Sequence, residues 1–568
     1  MKKEVVKILQ KALKKKKIDL EPSEIEKLIG TPPSSEMGDF AFPCFSLVSK
    51  LKMPPQEIAL ELRQEIGNPP ANFSEITTLG PYVNFFTNRK SLSIDLVNEI
   101  IREKDNYGKV KAGKKQLKTM VEFPSPNTNK PLHIGHLRNM TIGEAISRIS
   151  EFNGEKVIRS NLNNDRGIHI CKSMAAYEKF GKKAKPGKMK SDHFVGKYYV
   201  MFGQKSKKDK NLELFSHRLL QEWEAGNKKV VKLWERMNKW AYDGFEKTYK
   251  DFGINSDINY YESKLYKHGK EIVDKGLKNK VFQKRKDGAV VIGLGKELGE
   301  KVLLRIDGTS VYIVQDLYLA QLKFKDHKLD KSYYVVGNEQ EYHFRVLFNI
   351  LEKLGFKQNM KHISFGMVTI PGGKIKSREG TKGINADEIM GSVQTLVKKE
   401  LTKRSKLSKS ELEKKSSKIA LGAIKYFLLK VDMKKNMFFN PKEAISFEGD
   451  TGPYVQYSYA RASSIIKKEG KEKIRPKFKM GELTLQEVDL LKKLSQFKEI
   501  SNKAYLNLNP SIIANYSYQL SQKFNEFYHA SKVIGSEEQA FRLKLVEAFR
   551  QVLKNSLSLI GIEVLEEM

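Results

Sequence analysis

The sequence predicts an α/β protein with three domains: an N-terminal α+β domain, a central domain built on a parallel sheet, and an all-helical C-terminal domain. Three observations support this prediction. Short apolar segments alternate with longer helical patterns after residue 118, helical patterns alone follow residue 388, and a β-like run lies among helical patterns in the first 115 residues. We expect the domains at residues 1–115, 116–395 and 396–568.

The N-terminal domain opens with a lysine-bearing helical pattern. A Pro/Ser break follows at residues 31–35, and a second helical pattern covers residues 54–66. Residues 82–87, YVNFFT, have the aromatic and β-branched composition of a strand. The polar residues 105–115 have no periodic apolar face, so they predict a linker.

The central domain shows the alternation of strand and helix that is typical of a parallel sheet with helices on its faces. Strands are predicted at residues 119–123, 156–160, 332–336 and 362–368. A helix is predicted from about residue 134 to residue 152, directly after the first strand. A long insertion rich in Lys and Gly separates the second strand from the third.

The C-terminal domain is predicted from apolar residues that recur at helical spacing. Two such stripes indicate a helical bundle: Ile419, Ala420, Ala423, Ile424, Phe427 and Leu428, and then Ile512, Ile513, Tyr516, Leu520, Phe524 and Phe527. The basic runs at residues 398–418 and 467–479 indicate either solvated faces or a surface that faces RNA.

Composition limits the class of protein. The 568 residues include 103 Lys+Arg against 67 Asp+Glu, a formal net charge of +36. This excess attracts polyanions such as nucleic acids, although lysine-rich composition can also serve solubility alone. No run approaches the roughly 18 apolar residues of a membrane helix, and the N-terminus lacks a secretory pattern, so we expect a cytoplasmic protein. The two cysteines, Cys44 and Cys171, predict neither a disulfide framework nor a thiolate metal site.

The most informative stretch is residues 125–138, SPNTNKPLHIGHLR, between the first predicted strand and helix of the central domain. A helix N-terminus offers unpaired backbone N–H groups to a phosphate, and His133 and His136 can donate from its first turn. Gly135 lacks a Cβ, so an adenine ring could lie against the backbone there. Taken alone, the two histidines could equally be half of a metal site or ordinary surface residues.

Residues 133–136, HIGH, resemble the first signature of class I aminoacyl-tRNA synthetases. The second signature of that class, Lys-Met-Ser-Lys-Ser, is matched only loosely by residues 374–381, KIKSREGT, where Ser377 replaces the expected lysine. This looser loop resembles that of arginyl-tRNA synthetases, in which a lysine three residues before the first histidine is thought to supply the missing charge. Lys130 occupies that position.

Further segments spread over essentially the whole chain also resemble the arginyl family. They are residues 38–41, 80–85, 121–127, 312–316, 340–343, 446–457 and 561–564. The resemblance implies a Rossmann-type catalytic domain that attaches L-arginine to tRNA through an arginyl-adenylate, with ATP and Mg²⁺ and with no structural metal. It implies catalytic roles for Lys130, His133, His136 and Lys374, and ATP contacts for His133, Gly135, His136, Lys374, Ser377 and Arg378.

Arginine recognition gives a second, physical reason to examine the acidic residues. A guanidinium is planar and permanently charged, so its site should present carboxylates in a forked arrangement beside a flat surface. Tyr312 and Asp316 lie four residues apart and share one face if residues 310–320 are helical. The resemblance implies substrate contacts at Glu122, Asn127, Tyr312, Asp316 and Gln340. Each of these residues taken singly could instead be an ordinary strand, cap or loop residue.

The resemblance also implies that tRNA is bound far from the chemistry. The C-terminal domain is expected to bind the anticodon, where Tyr457 and Arg461 could stack on unpaired bases, although Tyr457 could equally be a core residue. The N-terminal domain is expected to contact the tRNA elbow through Asn84 and Phe86. We further expect a monomer that requires bound tRNA before it activates arginine.

Three alternatives remain. Another class I enzyme, such as the cysteinyl or glutamyl enzyme, is one, although the cysteinyl enzyme would need thiolate zinc ligands. A catalytically inactive RNA-binding paralogue is the second, and the departure at Ser377 leaves room for it. A small-molecule adenylate-forming ligase is the third, but such an enzyme has no need for a basic helical appendage.

Overall fold

The computed structural model describes residues 1–113, 115–181, 183–307, 311–370, 385–404, 406–469 and 481–568. The described chain divides into two compact units. The first contains residues 1–104, 481–495 and 526–548, and the second contains most of the remainder. No helix among these described ranges is long and apolar enough to cross a membrane.

The first unit begins with a small α+β fold. Its elements are α1 (Lys2–Lys15), α2 (Pro22–Leu28), β1 (Phe40–Pro43), α3 (Val48–Leu51), α4 (Pro55–Ile66), β2 (Phe73–Leu79), β3 (Tyr82–Thr87) and α5 (Arg89–Glu103). The three strands form an antiparallel sheet in the order β1-β3-β2, and α1 and α4 contribute buried side chains to its core. The predicted strand at residues 82–87 is confirmed, and α4 lies where the second helical pattern was found.

The second unit contains the α/β region. Its elements up to residue 370 are β4 (Lys118–Glu122), α6 (Ile134–Phe152), β5 (Lys156–Asn163), α7 (Ile168–Phe180), α8 (Ser191–Lys205), α9 (Lys210–Glu224), α10 (Lys228–Phe252), β6 (Ile258–Tyr261), α11 (Glu262–Leu265), α12 (Gly269–Lys278), β7 (Gln283–Lys284), β8 (Val290–Gly293), α13 (Gly295–Leu298), β9 (Glu300–Leu304), α14 (Tyr312–His327), β10 (Lys331–Gly337), α15 (Glu341–Lys353), β11 (Asn359–Phe365) and β12 (Val368–Thr369).

Helices follow, with one short strand. They are α16 (Ala386–Arg404), α17 (Lys409–Lys430), β13 (Met437–Phe438), α18 (Pro441–Ala444), α19 (Gly452–Lys468), α20 (Leu485–Ser495), α21 (Phe497–Asn507), α22 (Ser511–Ala530) and α23 (Gln539–Leu559). The six stripe residues predicted on α17 are all buried, which confirms that its apolar face packs inward.

The main sheet of the second unit is parallel and has the order β11-β10-β4-β5-β6. The chain therefore adds β5 and β6 on one side of β4, and it later adds β10 and β11 on the other side. In sheets of this kind, ligands bind outside the carboxyl ends of the strands at the point where the order reverses. Here that point lies between the ends of β4 and β10, which places the residue 125–138 stretch and Gln340 at the same edge.

The predicted parallel sheet is confirmed, and α6 has the predicted bounds. The sequence did not predict β6 or the small antiparallel sheet β7-β8-β9, because these strands are short and lie inside the insertion. The region predicted as a linker contains Tyr107, which is 1% exposed and stacks on Phe497 with the ring centroids 6.2 Å apart.

The position of α6 is fixed by a buried arginine. Arg138 is fully buried, and its guanidinium donates to the carbonyl oxygens of Gly366, Met433 and Lys435 at 2.7, 3.1 and 3.0 Å. Gly366 is required at this place, because a Cβ there would lie 2.6 Å from the backbone of Lys435. Helix α6 is thereby tied to the two chain segments that carry β12 and β13.

Candidate active site

The first turn of α6 is built from two interlocked imidazoles. His133 is the N-cap residue, and its Nδ1 accepts the backbone N–H of Gly135 at 3.1 Å. The Nδ1 of His136 accepts the backbone N–H of His133, also at 3.1 Å. Because both Nδ1 atoms accept hydrogen bonds, the proton of each neutral ring lies on Nε2. Each ring thus retains an Nε2–H group that can donate to a ligand.

Both rings are held neutral. Burial and, to a smaller extent, the positive charge of the nearby Lys130 lower the pKa of His133 to about 3. Burial also lowers the pKa of His136 well below its usual value, with contributions from His133 and Lys130. The turn therefore combines two uncharged donors with one ammonium group, an arrangement suited to phosphate oxygens at a helix N-terminus.

Two glycines permit the close packing of this turn. A Cβ on Gly135 would lie 2.9 Å from Cε1 of His133, so the missing side chain makes room for the imidazole ring. This contact is a structural reason for a glycine at position 135, in addition to the predicted contact with adenine. A Cβ on Gly196 of α8 would lie 2.5 Å from Cδ of Pro131, so the insertion packs directly against the turn.

The segment that follows residue 384 returns to the same turn. Ala386 N–H donates to the carbonyl of Leu132 at 2.9 Å, and Asn385 forms a β-bridge with His133. Lys374, Ser377 and Arg378, which the sequence predicts to contact ATP, lie outside the described residues. Residues 385 and 386, the first described residues after the signature segment, therefore lie beside Leu132 and His133.

Asp387 holds this returning segment in place through side-chain hydrogen bonds. Its carboxylate accepts from His193 Nε2 at 2.7 Å, Lys190 Nζ at 2.8 Å and Thr248 Oγ1 at 3.0 Å. Burial opposes ionisation, but these bonds outweigh it and lower the pKa of Asp387 to about 2, and the bond to Asp387 raises the pKa of His193. The sequence assigned no role to His193.

Asp192, His193 and Asp387 are the one group of potential metal ligands found in the described ranges. The ammonium group of Lys190 lies 3.3 Å from Asp192 and 2.8 Å from Asp387, where a cation would have to bind. The group is therefore a protein ion-pair cluster, and it does not fit a metal site.

The candidate amino-acid pocket lies at the start of α14. Asp316 is half-buried, and its Oδ2 contacts His343 Nε2 at 2.8 Å. Tyr312 is 59% exposed, and its hydroxyl lies close to Gly167, where a Cβ would be 3.6 Å away. The predicted pair at spacing four does begin a helix, and both side chains remain accessible.

Glu262, which the sequence did not single out, lies close enough to Asp316 for the two carboxylates to repel each other, and it is a further candidate for this pocket. It is 9% exposed at the start of α11, and its Oε1 has no hydrogen-bond partner in the part of the chain that the structure describes. Burial raises the pKa of Glu262 to about 7; Arg166 opposes this rise, whereas Asp165 and Asp316 add to it. A buried carboxylate oxygen without a partner, beside a second carboxylate, is suited to a guanidinium.

Three predicted substrate residues differ in their surroundings. Asn127 and Gln340 are exposed, and Asn127 forms a β-bridge with Asn164. Glu122 is 5% exposed and forms an ion pair with the fully buried Lys323. Glu122 therefore already has a cationic partner within the protein.

The predicted tRNA contacts also differ. Asn84 is 3% exposed within β3, whereas Phe86 is half-buried. In α19, the Arg461 guanidinium lies 4.9 Å from the Tyr457 ring centroid and donates to Asn525 Oδ1 at 3.0 Å. Both α19 side chains are half-buried, so part of each remains accessible.

Family models match almost the whole chain. The family described as "tRNA synthetases class I (R), catalytic domain" matches residues 96–440. The "Arginyl tRNA synthetase N terminal domain" matches residues 3–87, and the "DALR anticodon binding domain" matches residues 455–568.

Relatives and solved structures agree with these matches. A protein of Treponema denticola named arginine–tRNA ligase is 43% identical over 95% of this chain and 94% of its own length. One of the same name from Borrelia duttonii is 39% identical over 99% and 98%. Both names are those of ligases, so nothing here supports the inactive-paralogue alternative.

The arginyl-tRNA synthetases of Thermus thermophilus and Plasmodium falciparum share the fold. Their TM-scores are 0.75 and 0.76 at 24% and 20% identity; the first match covers 100% of both chains, and the second covers 100% of this chain and 99% of the other. Since the catalytic-family model covers more than half of the chain and the relatives match it nearly end to end, this protein belongs to the arginyl-tRNA synthetase family of class I.

Proposed function

We propose that this protein attaches L-arginine to its cognate tRNA in two steps, through an arginyl-adenylate made from ATP. One observation carries the proposal: two neutral imidazoles present Nε2–H groups at the start of α6, beside Lys130 and at the reversal point of the parallel sheet. This arrangement supplies donors and positive charge where a triphosphate would lie.

In the first step the arginine carboxylate attacks the α-phosphorus of ATP, and pyrophosphate leaves. Negative charge builds on the phosphate oxygens, so the protein contributes mainly by positioning groups and stabilising charge. His133 and His136 donate from Nε2, and Lys130 supplies an ammonium group. Lys374, Ser377 and Arg378 are proposed as further ATP contacts, and Mg²⁺ enters with ATP as its counter-ion.

The guanidinium of the substrate is proposed to bind between Asp316 and Glu262, with Tyr312 as its flat neighbour. Asn127 and Gln340, both exposed, remain candidate contacts for the rest of the amino acid. A direct contact from Glu122 would require that its ion pair with Lys323 be shared with the substrate.

In the second step the 2′-hydroxyl of the terminal adenosine attacks the adenylate carbonyl, and AMP leaves. The excess of 36 positive charges favours the approach of tRNA. Tyr457 and Arg461 in an anticodon-binding domain, and Asn84 and Phe86 at the elbow, are the proposed tRNA contacts. Of the elbow residues, Phe86 is the better candidate, because Asn84 is buried. We propose a cytoplasmic monomer that requires tRNA for activation.

The test is ATP–pyrophosphate exchange with each of the twenty amino acids, with and without total tRNA. We expect exchange with arginine alone and only when tRNA is present. Exchange with another amino acid would overturn the specificity, and exchange with none would favour an inactive paralogue. Exchange with arginine in the absence of tRNA would remove the tRNA requirement and leave the rest of the proposal intact.

A further inference from the structure

A buried carboxylate that the mechanism does not use lies beside the amino-acid pocket. Asp165 follows β5 and is 1% exposed. Its Oδ1 accepts the backbone N–H of Ser263 at 2.8 Å, and its Oδ2 accepts the hydroxyls of Ser263 and Tyr242 at 2.7 and 2.9 Å. Ser263 is the residue next to Glu262, so Asp165 holds the backbone that carries the pocket carboxylate.

The backbone carbonyl of Asp165 is also held. It accepts from Trp234 Nε1 at 2.7 Å and from Asn238 Nδ2 at 3.3 Å. Residues 234, 238 and 242 are spaced four apart and therefore share one face of α10. Three side chains of that face, Trp234, Asn238 and Tyr242, therefore donate hydrogen bonds to Asp165.

The same network reaches the phosphate-binding turn. Asn238 is 2% exposed, and its Oδ1 accepts the hydroxyl of Thr128, which is 1% exposed and lies two residues before Lys130. A continuous chain of hydrogen bonds, buried from Thr128 to Asp165 and partly buried from Asp165 to Ser263, thus connects these residues through Asn238. It connects the segment of the histidines with the segment of Glu262.

The two arms of the network meet at Asp165 but use different atoms of it. The side chain of Asp165 serves the amino-acid pocket, whereas its carbonyl and Asn238 serve the turn. Buried polar groups are costly to leave without partners, so loss of one acceptor displaces the donors that faced it. Substitutions on one arm should therefore change one substrate more than the other.

We propose that Asp165 is a positioning residue that fixes Glu262 through Ser263 and ties the amino-acid pocket to the phosphate-binding turn through Asn238. The proposal rests on the proposed function, since it assigns arginine to the Glu262 side and ATP to the Thr128 side. It assigns Asp165 no contact with either substrate.

The intrinsic tryptophan fluorescence of the protein can report ligand binding in this region. Its three tryptophans are Trp223, Trp234 and Trp240, all on α9 and α10. Trp234 donates to Asp165, and the Trp223 ring centroid lies 5.9 Å from the guanidinium carbon of Arg166. Titration of the intact protein with L-arginine, followed by tryptophan fluorescence, therefore reports on the pocket without any turnover.

Asp165→Asn and Ser263→Ala test the pocket arm. Each should raise the dissociation constant and the KM for arginine about tenfold while changing the KM for ATP by less than about twofold. Ser263→Thr retains the hydroxyl and should restore arginine binding to near the wild-type value. Asp243→Asn is the matched control, because Asp243 lies on the exposed side of α10 in an ion pair with Lys239.

Asn238→Ala tests the other arm and should raise the KM for ATP more than the KM for arginine. Equal changes in both KM values across these variants, or loss of thermal stability alone, would overturn the positioning role. The wild-type protein separates the two proposals. If it binds no arginine and shows no exchange, the proposed function fails; if it is active and Asp165→Asn leaves arginine binding unchanged, only the present inference fails.

Discussion

The phosphate-binding turn and the amino-acid pocket lie at the same edge of one parallel sheet, but they are built in opposite ways. The turn is a single continuous segment whose backbone N–H groups and imidazoles bond to one another. The pocket takes Glu262 from α11, Asp316 from α14 and His343 from α15. A site of the first kind is organised locally, whereas a site of the second kind exists only once the surrounding fold has formed.

The two regions also differ in charge. The turn holds its histidines neutral by burial and leaves the positive charge to Lys130. The pocket keeps carboxylates close together, and one of them has a raised pKa. The first region can therefore bind an anion at any ordinary pH, whereas the second should bind a cation more tightly once Glu262 is ionised.

The largest effect should come from Lys323→Met. This substitution tests whether Glu122 contacts the substrate or only stabilises the fold around the pocket. The substitution leaves a buried carboxylate without its cation, so it should lower the free energy of unfolding by about 3–5 kcal/mol, measured by urea denaturation. Lys325→Met, on an exposed site of the same helix, should have no such effect. A raised arginine KM at unchanged stability would return Glu122 to the pocket.

His133→Asn tests the turn alone. Asparagine can still cap α6 but lacks the Nε2–H donor, so we expect kcat to fall about 100-fold with the arginine KM unchanged. Single-turnover formation of the adenylate in the presence of tRNA measures this. His217→Asn, at an exposed position on α9, is the control. A kcat within twofold of the wild type would show that His133 only caps the helix.

Asp316→Asn tests the pocket alone. Loss of a charged acceptor for the guanidinium should raise the arginine KM about tenfold and leave the ATP KM unchanged, as measured by exchange at saturating concentrations of the other substrate. The control is Asp326→Asn, an exposed acid further along α14. An unchanged arginine KM would remove Asp316 from the pocket.

An effect no larger than that of Asp316→Asn is a dependence on pH that only the pocket should show. The pKa of Glu262 is raised to about 7, so its carboxylate is lost as pH falls through that value. The arginine KM should therefore rise about tenfold from pH 8 to pH 6. Glu262→Gln should abolish this dependence, at a higher KM throughout. A pH profile in Glu262→Gln equal to that of the wild type would assign the titration to another group.

The different construction explains what the sequence could predict. The bounds of α6 follow from consecutive residues, and the signature histidines lie at its start, so the turn was predicted residue by residue. Tyr312 and Asp316 were predicted from the resemblance of residues 312–316 to the arginyl family, and their spacing of four fits one face of a helix. Glu262 was not predicted because it lies within the insertion, directly after the four-residue strand β6, and its proximity to Asp316 depends on tertiary packing.

The sequence also could not predict which polar side chains the fold would bury. Asn84 was predicted to contact tRNA and Glu122 to contact arginine, and the fold buries both side chains. The partner of Glu122, Lys323, is 201 residues away in the chain, so no local pattern connects them. The same holds for Asp165, whose partners come from α10 and α11.

Helix α6 carries its histidines on the first turn and Arg138 a few residues later. That guanidinium binds backbone carbonyls in two separate segments, one just before β12 and one just before β13, so the position of α6 depends on both. A substitution that removed the hydrogen bonds of Arg138 would allow the whole helix to shift, and both imidazoles would move with it. Distant variants near β12 and β13 should therefore mimic histidine variants kinetically without touching any substrate.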